Sequence, residues 1–129
     1  MPLYWNHINY LKLSENEKIN FLKSKLNSSK NLINKFHFSN KENKEVWSTF
    51  NVLSQESHEC LGAYVISMTS LASDILSVSF LQKEAKIKNK LRVVPLFETL
   101  DDLINAKAII ENLFSHKWYR NLIKHKQEV

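Results

Sequence analysis

The stretch LRVVPLFETLDDL, residues 91–103, decides which fold we expect. It begins as a continuous apolar run, which is typical of a parallel strand covered on both faces. Pro95 has no backbone N–H, so we expect it near the end of that strand. Thr99 and Asp102 then have the spacing of a helix N-cap and its third helical residue. Local rules explain the whole stretch except Glu98, a lone carboxylate at the point where the strand ends.

A similar unit precedes this stretch. AYVISM, residues 63–68, is β-branched and aromatic, and its length predicts a buried strand. SLASDILSVSFLQKEA, residues 70–85, has apolar residues at helical spacing, with Thr69 or Ser70 as its N-cap. The lysine-rich KIKNK, residues 86–90, suits the negative end of a helix. These residues therefore predict a strand followed by a helix.

Other segments with apolar residues three and four positions apart predict further helices. The first spans residues 14–26, with Ser14 and Glu17 as a capping box and Ile19, Leu22 and Leu26 on its apolar face. The second spans 41–57, is capped by Ser39 or Asn40, and has Val46, Phe50 and Leu53 on its apolar face. The third spans 99–114, with Leu103, Ala106, Ile110 and Leu113 on its apolar face, and a shorter one spans 116–126. The polar residues 27–40 predict a loop, and QEV at 127–129 has the character of a strand start.

The order strand, helix, strand, helix, helix and strand start is that of consecutive βα units with right-handed crossovers. It implies an α/β, helix-dominated fold with a parallel sheet or a barrel. We expect a single partial domain over residues 1–129, with a helical approach segment at 1–58 and the βα units at 59–129. Two strands cannot close a barrel and would leave unpaired edges, so we expect the chain to be a piece of something larger.

Composition excludes several classes of protein. The net charge of +5 and the pI near 9.3 come from scattered lysines, with Arg92 and Arg120 the sole arginines, so we do not expect nucleic-acid binding. The single glycine, Gly62, rules out glycine-rich phosphate loops, and the single cysteine, Cys60, cannot close an intrachain disulfide. No window approaches the roughly 18 apolar residues of a membrane span, and the start MPLYWNHINY lacks the pattern of a secretory signal. We therefore expect a cytosolic protein.

Glu98 is the candidate functional residue. In βα proteins the active site gathers at the carboxyl ends of the strands, where Glu98 is expected to lie. A carboxylate there suits a hard divalent cation such as Mg²⁺, although a second ligand would have to come from elsewhere. The alternative is that Glu98 only favours the dipole of the following helix, a role that Asp101 and Asp102 already fill.

The remaining polar candidates have simpler structural interpretations. We expect the groups after the first strand to cap a helix, the tryptophans to pack in the core, and the arginine of the last helix to anchor that helix to the barrel, with anion binding as the alternative. They are, in that order, Ser67, Ser70, Ser73 and Asp74; Trp47 and Trp118; and Arg120. The histidines and the cysteine show no metal-ligand spacing, so we predict no zinc site. They are His7, His37, His58, His116, His125 and Cys60.

Three segments together resemble the central region of phosphoenolpyruvate carboxylase, in the same order and with similar spacing. They are AYVISMTSLASDILSV, LRVVPLFETLDDL and WYRNLIKHKQEV, and the likeness is strong over residues 60–129 and looser over 10–57. The resemblance implies two consecutive βα units of a (β/α)8 TIM-type barrel preceded by two helices. It also implies a cytoplasmic homotetramer that carboxylates phosphoenolpyruvate with bicarbonate to oxaloacetate and phosphate, an anaplerotic carbon fixation feeding the tricarboxylic acid cycle. Neither nucleic acid nor membrane is an implied partner.

By the same resemblance, Glu98 matches the glutamate of the family's LFETLDDL motif, which is a ligand of Mg²⁺ or Mn²⁺. The second metal-binding carboxylate and an active-site lysine belong to a Tyr-Ser-Asp motif expected after Val129, and the other catalytic groups of the family lie elsewhere. We therefore expect a fragment that does not turn over phosphoenolpyruvate alone. Two alternatives stay open, a standalone helical interaction module and a basic nucleic-acid-binding domain.

Overall fold

The computed structural model describes residues 4–5, 8–28, 41–56, 61–88 and 90–123. The strands are β1 (Tyr4–Trp5), β2 (Ile8–Asn9), β3 (Ala63–Ile66) and β4 (Arg92–Pro95). The helices are α1 (Glu15–Leu26), α2 (Lys41–Gln55), α3 (Ala72–Glu84), α4 (Leu100–Ser115) and α5 (Lys117–Leu122), and a 3-10 turn spans Tyr10–Lys12. Outside the described residues lie the caps Ser39 and Asn40, most of the loop at 27–40, the strand start at 127–129, and His7, His37, His58, Cys60 and His125.

The described part of the chain begins with an antiparallel pair that sequence analysis did not predict. Tyr4 of β1 lies opposite Asn9 of β2, and Trp5 lies opposite Ile8. The approach segment at 1–58 is therefore not helical throughout, because α1 and α2 follow this short pair. Strands of two residues are too short for an alternating pattern to be recognised in the sequence.

The first helix, α1, begins at the predicted capping box. The Ser14 backbone N–H donates to Glu17 Oε2 at 2.8 Å, and the Glu17 backbone N–H donates to Ser14 Oγ at 3.3 Å. Ile19 and Leu22 are buried in the core, and α1 lies against α3. The predicted apolar face is therefore the face that packs.

The second helix, α2, reaches the core through Phe50, whose ring stacks on Tyr64 of β3 with 5.1 Å between centroids. Trp47 and Leu53 are half-buried against the same cluster, as expected. Val46 was also expected on the packed face, but 39% of its surface is exposed. The sequence shows where the apolar stripe runs, whereas the neighbouring elements decide how much of its width is covered.

The strands β3 and β4 pair in parallel, as the sequence predicts, with Tyr64 opposite Val93 and Ile66 opposite Pro95. Pro95 is the last residue of β4, in agreement with its missing N–H. The helix-dominated α/β class is therefore confirmed. Within the described ranges, no helix is both long and apolar enough to cross a membrane.

This parallel pair is covered on one face and not on both, which corrects the expectation for β3 and β4. Val93 is 4% exposed and lies on the side of α3, whereas Val65 is 55% exposed and Leu96 is 39% exposed. The strand β3 is therefore not a wholly buried strand. An apolar run shows that a strand is hydrophobic, but it does not show whether another element of the chain packs on its second face.

The third helix, α3, is the centre of the core and contacts α1, α2, α4 and β4. Its N-cap is Leu71, which corrects the prediction of Thr69 or Ser70. Because Leu71 has no side-chain acceptor, carboxylates accept the N–H groups at this end: Asp74 accepts from Leu71, and Glu15 of α1 accepts from Ser73.

The lysine-rich segment ends α3 in a specific turn. Lys86 has φ 59°, and the next N–H, that of Ile87, donates back to the Gln82 carbonyl at 3.1 Å. This is the left-handed cap that glycine often provides. Here a lysine occupies this position although a positive φ is unfavourable for it, and the next residue, Ile87, is buried in the core.

The fourth helix, α4, agrees with the sequence in its boundaries and differs in its packed face, whereas α5 ends at Leu122, before the predicted end at 126. Thr99 caps α4, because its Oγ1 accepts the Asp102 N–H at 3.0 Å. Ile109 and Leu113 are the buried residues of α4, whereas Leu103, expected on the packed face, is 58% exposed. The helix packs through its carboxyl half, so apolar side chains of its first turns stay in solvent.

The fifth helix, α5, follows α4 directly and is held to its end. Arg120 donates to the Phe114 carbonyl, so this arginine holds α5 to the end of α4, while its expected anchoring to a barrel stays a prediction. Trp118 is half-buried against the core, and Tyr119 is 2% exposed with its ring edge-on to that of Phe114. The core-packing prediction for Trp118 is thus confirmed.

Candidate functional site

The site lies at the carboxyl ends of β3 and β4, where the chain continues to pair beyond the strands. The Leu96 N–H donates to the Ile66 carbonyl at 2.8 Å, and the Thr69 N–H donates to the Leu96 carbonyl at 3.0 Å. The two loops that follow the strands therefore run side by side. This is the edge at which the ends of parallel strands bring functional side chains together in α/β proteins.

Glu98 stands at this edge with its side chain exposed. Its Oε2 accepts a hydrogen bond of 2.9 Å from the backbone N–H of Met68, in the loop after β3. The carboxylate therefore reaches across to the neighbouring loop. Within the described residues, Met68 is the hydrogen-bond donor found for Glu98, and it leaves Oε1 for other partners.

Met68 is the neighbour of Glu98 that the sequence did not predict. Its contribution comes from the main chain, and its φ of 51° places it in the left-handed region, which non-glycine residues rarely adopt. Every residue except proline has a backbone N–H, so no pattern of side chains in the sequence predicts the hydrogen bond from Met68 to Glu98.

Ser70, Ser73 and Asp74 lie at the start of α3, but carboxylates accept the N–H groups there, and not the hydroxyls that the capping interpretation predicts. Asp74 Oδ2 accepts from the N–H groups of Ser70 and Leu71 at 3.2 and 3.0 Å. Ser73 donates from its N–H and its hydroxyl to Glu15, each at 2.9 Å. These groups are joined to one another and to α1, and no hydrogen bond among the described residues links them to Glu98.

The acidic pair after Glu98 also stays with its helix. Asp101 and Asp102 lie in the first turn of α4, whose positive end favours negative charge. Glu98 lies before the N-cap Thr99, and its carboxylate is directed to Met68 in the other loop. The helix-dipole alternative therefore describes Asp101 and Asp102 better than it describes Glu98.

A cavity of about 510 Å³ lies between α1, α3 and the loop after β3, and Ser67, Met68 and Ser70 of that loop line it. Its polar lining includes Tyr10, Lys18 and Ser77, and its apolar lining includes Phe21 and Phe80. Burial raises the pKa of Tyr10, while the hydrogen bond with Ser77 acts in the opposite direction. Glu98 is not part of this lining, but Met68, whose N–H donates to Glu98, is, so the cavity adjoins the loop that holds the carboxylate.

A divalent cation is compatible with Glu98, but Glu98 alone does not make a complete site. An exposed carboxylate oxygen is the hard ligand that Mg²⁺ and Mn²⁺ prefer. In the described part of the chain, no group of three or more His, Cys, Asp or Glu side chains is placed to hold a metal ion. His116, for example, contacts the Asn112 side chain through Nε2 at 3.2 Å. Further ligands would have to come from outside the described residues.

A parallel strand pair with an acidic residue at its carboxyl edge defines an α/β protein of the class that builds sites at strand ends. Comparison with known proteins makes this specific. The family model of phosphoenolpyruvate carboxylase matches residues 3–129. On this match, the chain belongs to the phosphoenolpyruvate carboxylase family.

Relatives from plants and bacteria agree with this assignment. The chain is 45% identical over 120 residues to a phosphoenolpyruvate carboxylase of Flaveria pringlei and 43% identical over 120 residues to that of Nicotiana tabacum. It is also 43% identical over 120 residues to that of Aliivibrio salmonicida. Each match covers 93% of this chain but only 12%, 12% and 14% of the respective relative. The chain thus spans about an eighth of the length of these proteins.

Proposed function

We propose that this chain is the part of a phosphoenolpyruvate carboxylase that supplies one metal ligand, Glu98, to the active site. The reaction is the carboxylation of phosphoenolpyruvate by bicarbonate, which yields oxaloacetate and phosphate. The observation that carries the proposal is the position of Glu98 at the carboxyl edge of β3 and β4, held from the neighbouring loop by Met68. Family membership over residues 3–129 supports the reaction.

Glu98 would hold Mg²⁺ or Mn²⁺ through its carboxylate. When bound, the cation supplies positive charge that stabilises the anionic oxygens of an enol phosphate. Glu98 would present one negatively charged oxygen, Oε1, at the strand end, while the N–H of Met68 holds the other, Oε2. Because the side chain is exposed, substrate and cation can reach it directly.

The architecture that we propose around this site is a (β/α)8 barrel of which β3, α3, β4 and α4 form two consecutive units. The bare face of the parallel pair supports this, because Val65 and Leu96 would be costly to leave in water in a finished protein. The outer edges of β3 and β4, which pair with no other strand among the described residues, also support a larger sheet. A cytoplasmic homotetramer completes the proposal, in keeping with the family.

A transplant tests the role of Glu98. Residues 3–129 replace the matching segment of the full-length Flaveria pringlei relative, and oxaloacetate is followed through malate dehydrogenase and NADH. We expect Mg²⁺-dependent activity, and we expect Glu98→Gln to lower kcat/KM by at least about 100-fold, because a neutral amide is a poor ligand for a hard cation. The matched control is Glu111→Gln, an exposed carboxylate on α4 whose ion pair with Lys107 is 3.8 Å long.

Two results would contradict the proposal. One is a Glu98→Gln transplant with the turnover and Mn²⁺ affinity of the Glu111→Gln control. The other concerns the 129-residue chain itself. We expect no oxaloacetate from it with Mg²⁺ and bicarbonate, and sustained turnover would show that the chemistry does not depend on parts outside the chain.

The bare face of the parallel pair has its own test. Val65→Asp adds a charge at a position that is 55% exposed in this chain. We expect it to change the unfolding free energy of the isolated chain by less than about 1 kcal/mol and to destabilise the full-length transplant by more than about 3 kcal/mol. Equal effects in the two proteins would argue against a barrel that closes over this face.

A further inference from the structure

We propose that Met68 is a positioning residue for Glu98: the left-handed turn at Met68 aims its backbone N–H at Oε2, so that Oε1 faces a divalent cation. The inference rests on the proposed function, because it concerns how the metal ligand is held. It assigns a role to the loop after β3, which contributes no carboxylate to the site. The role belongs to the main chain, and the side chain of Met68 takes no part in it.

The hydrogen bonds around Met68 fix the direction of its N–H. On one side, the Leu96 N–H donates to the Ile66 carbonyl at 2.8 Å; on the other, the Thr69 N–H donates to the Leu96 carbonyl at 3.0 Å. Residues 67 and 68 therefore have to bridge two points that are both tied to Leu96. A left-handed residue makes this tight bridge possible, and the Met68 N–H then meets Glu98 at 2.9 Å.

The side chain of Met68 does not account for this conformation. It is 66% exposed, so little packing compensates for a positive φ. A left-handed L residue costs about 1 kcal/mol, and such strain persists where the surroundings over-determine the backbone, often at functional sites. The contacts that over-determine Met68 are the two bonds to Leu96 and the bond to Glu98.

A hydrogen bond from a main-chain N–H also suits a metal ligand. It leaves one carboxylate oxygen engaged and one available, and it restricts the rotation of a side chain that is otherwise exposed. A carboxylate that is already oriented loses less conformational entropy when it binds a cation. Cation affinity should therefore depend on whether residue 68 can keep a positive φ.

The first experiment uses the 129-residue chain and measures hydrogen exchange of the Met68 amide by NMR. We expect Glu98→Ala to speed exchange at Met68 by about tenfold, because a charge-assisted hydrogen bond is lost. Glu111→Ala, which removes an exposed carboxylate from α4, should leave that rate within about twofold. Equal rates in the two variants would overturn the inference.

The second experiment measures Mn²⁺ affinity by electron paramagnetic resonance in the full-length transplant. Isoleucine strongly disfavours a positive φ, whereas leucine tolerates it better and glycine adopts it freely. We expect Met68→Ile to weaken Mn²⁺ binding about fivefold, and Met68→Leu and Met68→Gly to retain the original affinity within about twofold. The isoleucine and leucine side chains have the same number of atoms, so the comparison isolates the backbone.

The outcomes separate this inference from the proposed function. If Glu98→Ala leaves Mn²⁺ affinity unchanged, the proposed function fails. If Glu98→Ala abolishes binding while Met68→Ile binds like Met68→Leu, only the positioning role of Met68 fails. Should Met68→Ile not fold, exchange at the Met68 amide in Glu98→Ala decides the matter, since that variant changes no residue of the turn.

Discussion

Glu15, the first residue of α1, accepts hydrogen bonds from both the backbone N–H and the hydroxyl of Ser73, each at 2.9 Å. Ser73 lies 58 positions later, in the first turn of α3. The N-cap of α3 is Leu71, whose side chain cannot accept a hydrogen bond, so a carboxylate from another helix takes that place. The contact therefore joins the start of the approach segment to the central helix of the core.

We expect Glu15→Ala to lower the unfolding free energy by about 2 kcal/mol, because it leaves the N–H and hydroxyl of the buried Ser73 without their acceptor. Urea unfolding followed by circular dichroism gives the value. As a control, Glu111→Ala should cost less than about 0.5 kcal/mol, since its ion pair with Lys107 is exposed. A double-mutant cycle with Ser73→Ala should return a coupling energy of about 1 kcal/mol, and a coupling near zero would show that the contact is not energetically linked.

A second prediction concerns Gln82, which is 1% exposed on α3. Its side-chain amide pairs with Leu91 just before β4: Nε2 donates to the Leu91 carbonyl at 3.2 Å, and the Leu91 N–H donates to Oε1 at 2.7 Å. We expect Gln82→Leu to cost about 2 to 3 kcal/mol, because both main-chain groups of Leu91 lose their partner. The same change at Gln55, exposed at the end of α2, should be close to neutral; similar costs at both positions would contradict the role given to Gln82.

The third prediction concerns Thr69, which is 1% exposed in the loop after β3. Across the described segments, no hydrogen-bond partner is found for its Oγ1. Thr69→Val keeps the shape and removes the buried hydroxyl, so we expect it to stabilise the chain by up to about 1 kcal/mol. Thr49→Val on α2 is the control, since that exposed hydroxyl donates to the Glu45 carbonyl at 3.1 Å. Destabilisation by Thr69→Val in thermal and urea unfolding would mean that the hydroxyl has a partner.

The fourth prediction is a loss of stability at alkaline pH. Burial raises the pKa of Tyr119 from 10.0 to about 12, so the folded state holds this proton more tightly than the unfolded state does. The contribution is fully present below pH 10 and is lost as the pH rises from 10 towards 12. We expect unfolding free energy to fall by roughly 2 kcal/mol over that window, and Tyr119→Phe to remove much of the slope.

Other titratable groups also change the stability at alkaline pH, and one of them provides a reference variant. Burial also raises the pKa of Tyr10 and Tyr64, and it lowers that of Lys83, which acts in the opposite direction. Tyr64→Phe therefore serves as the reference variant, because Tyr64 is less buried than Tyr119. If Tyr119→Phe leaves the pH dependence of the unfolding free energy unchanged, other groups cause the loss of stability at alkaline pH.

Features set by neighbours in the chain could be predicted from the sequence. The capping box of Ser14 and Glu17, the cap at Thr99 and the place of Pro95 at the end of β4 each depend on a few consecutive residues. Features set by distant residues could not. Leu71, and not Thr69 or Ser70, is the N-cap of α3, where Glu15, remote in sequence, supplies an acceptor. Leu103 is exposed because α4 packs through its other half.

By itself, the sequence determined the order of the helices and the two parallel strands. It also placed a carboxylate, Glu98, after the strand that is β4 and showed which family the chain resembles. Only the tertiary structure decided that one face of the sheet is bare and that Glu98 is held by the N–H of Met68. The physical reason is that propensities and caps act over a few residues, whereas the covering of a face and the partner of a carboxylate depend on which segments meet in space. A main-chain donor in a left-handed turn has no counterpart in the pattern of side chains.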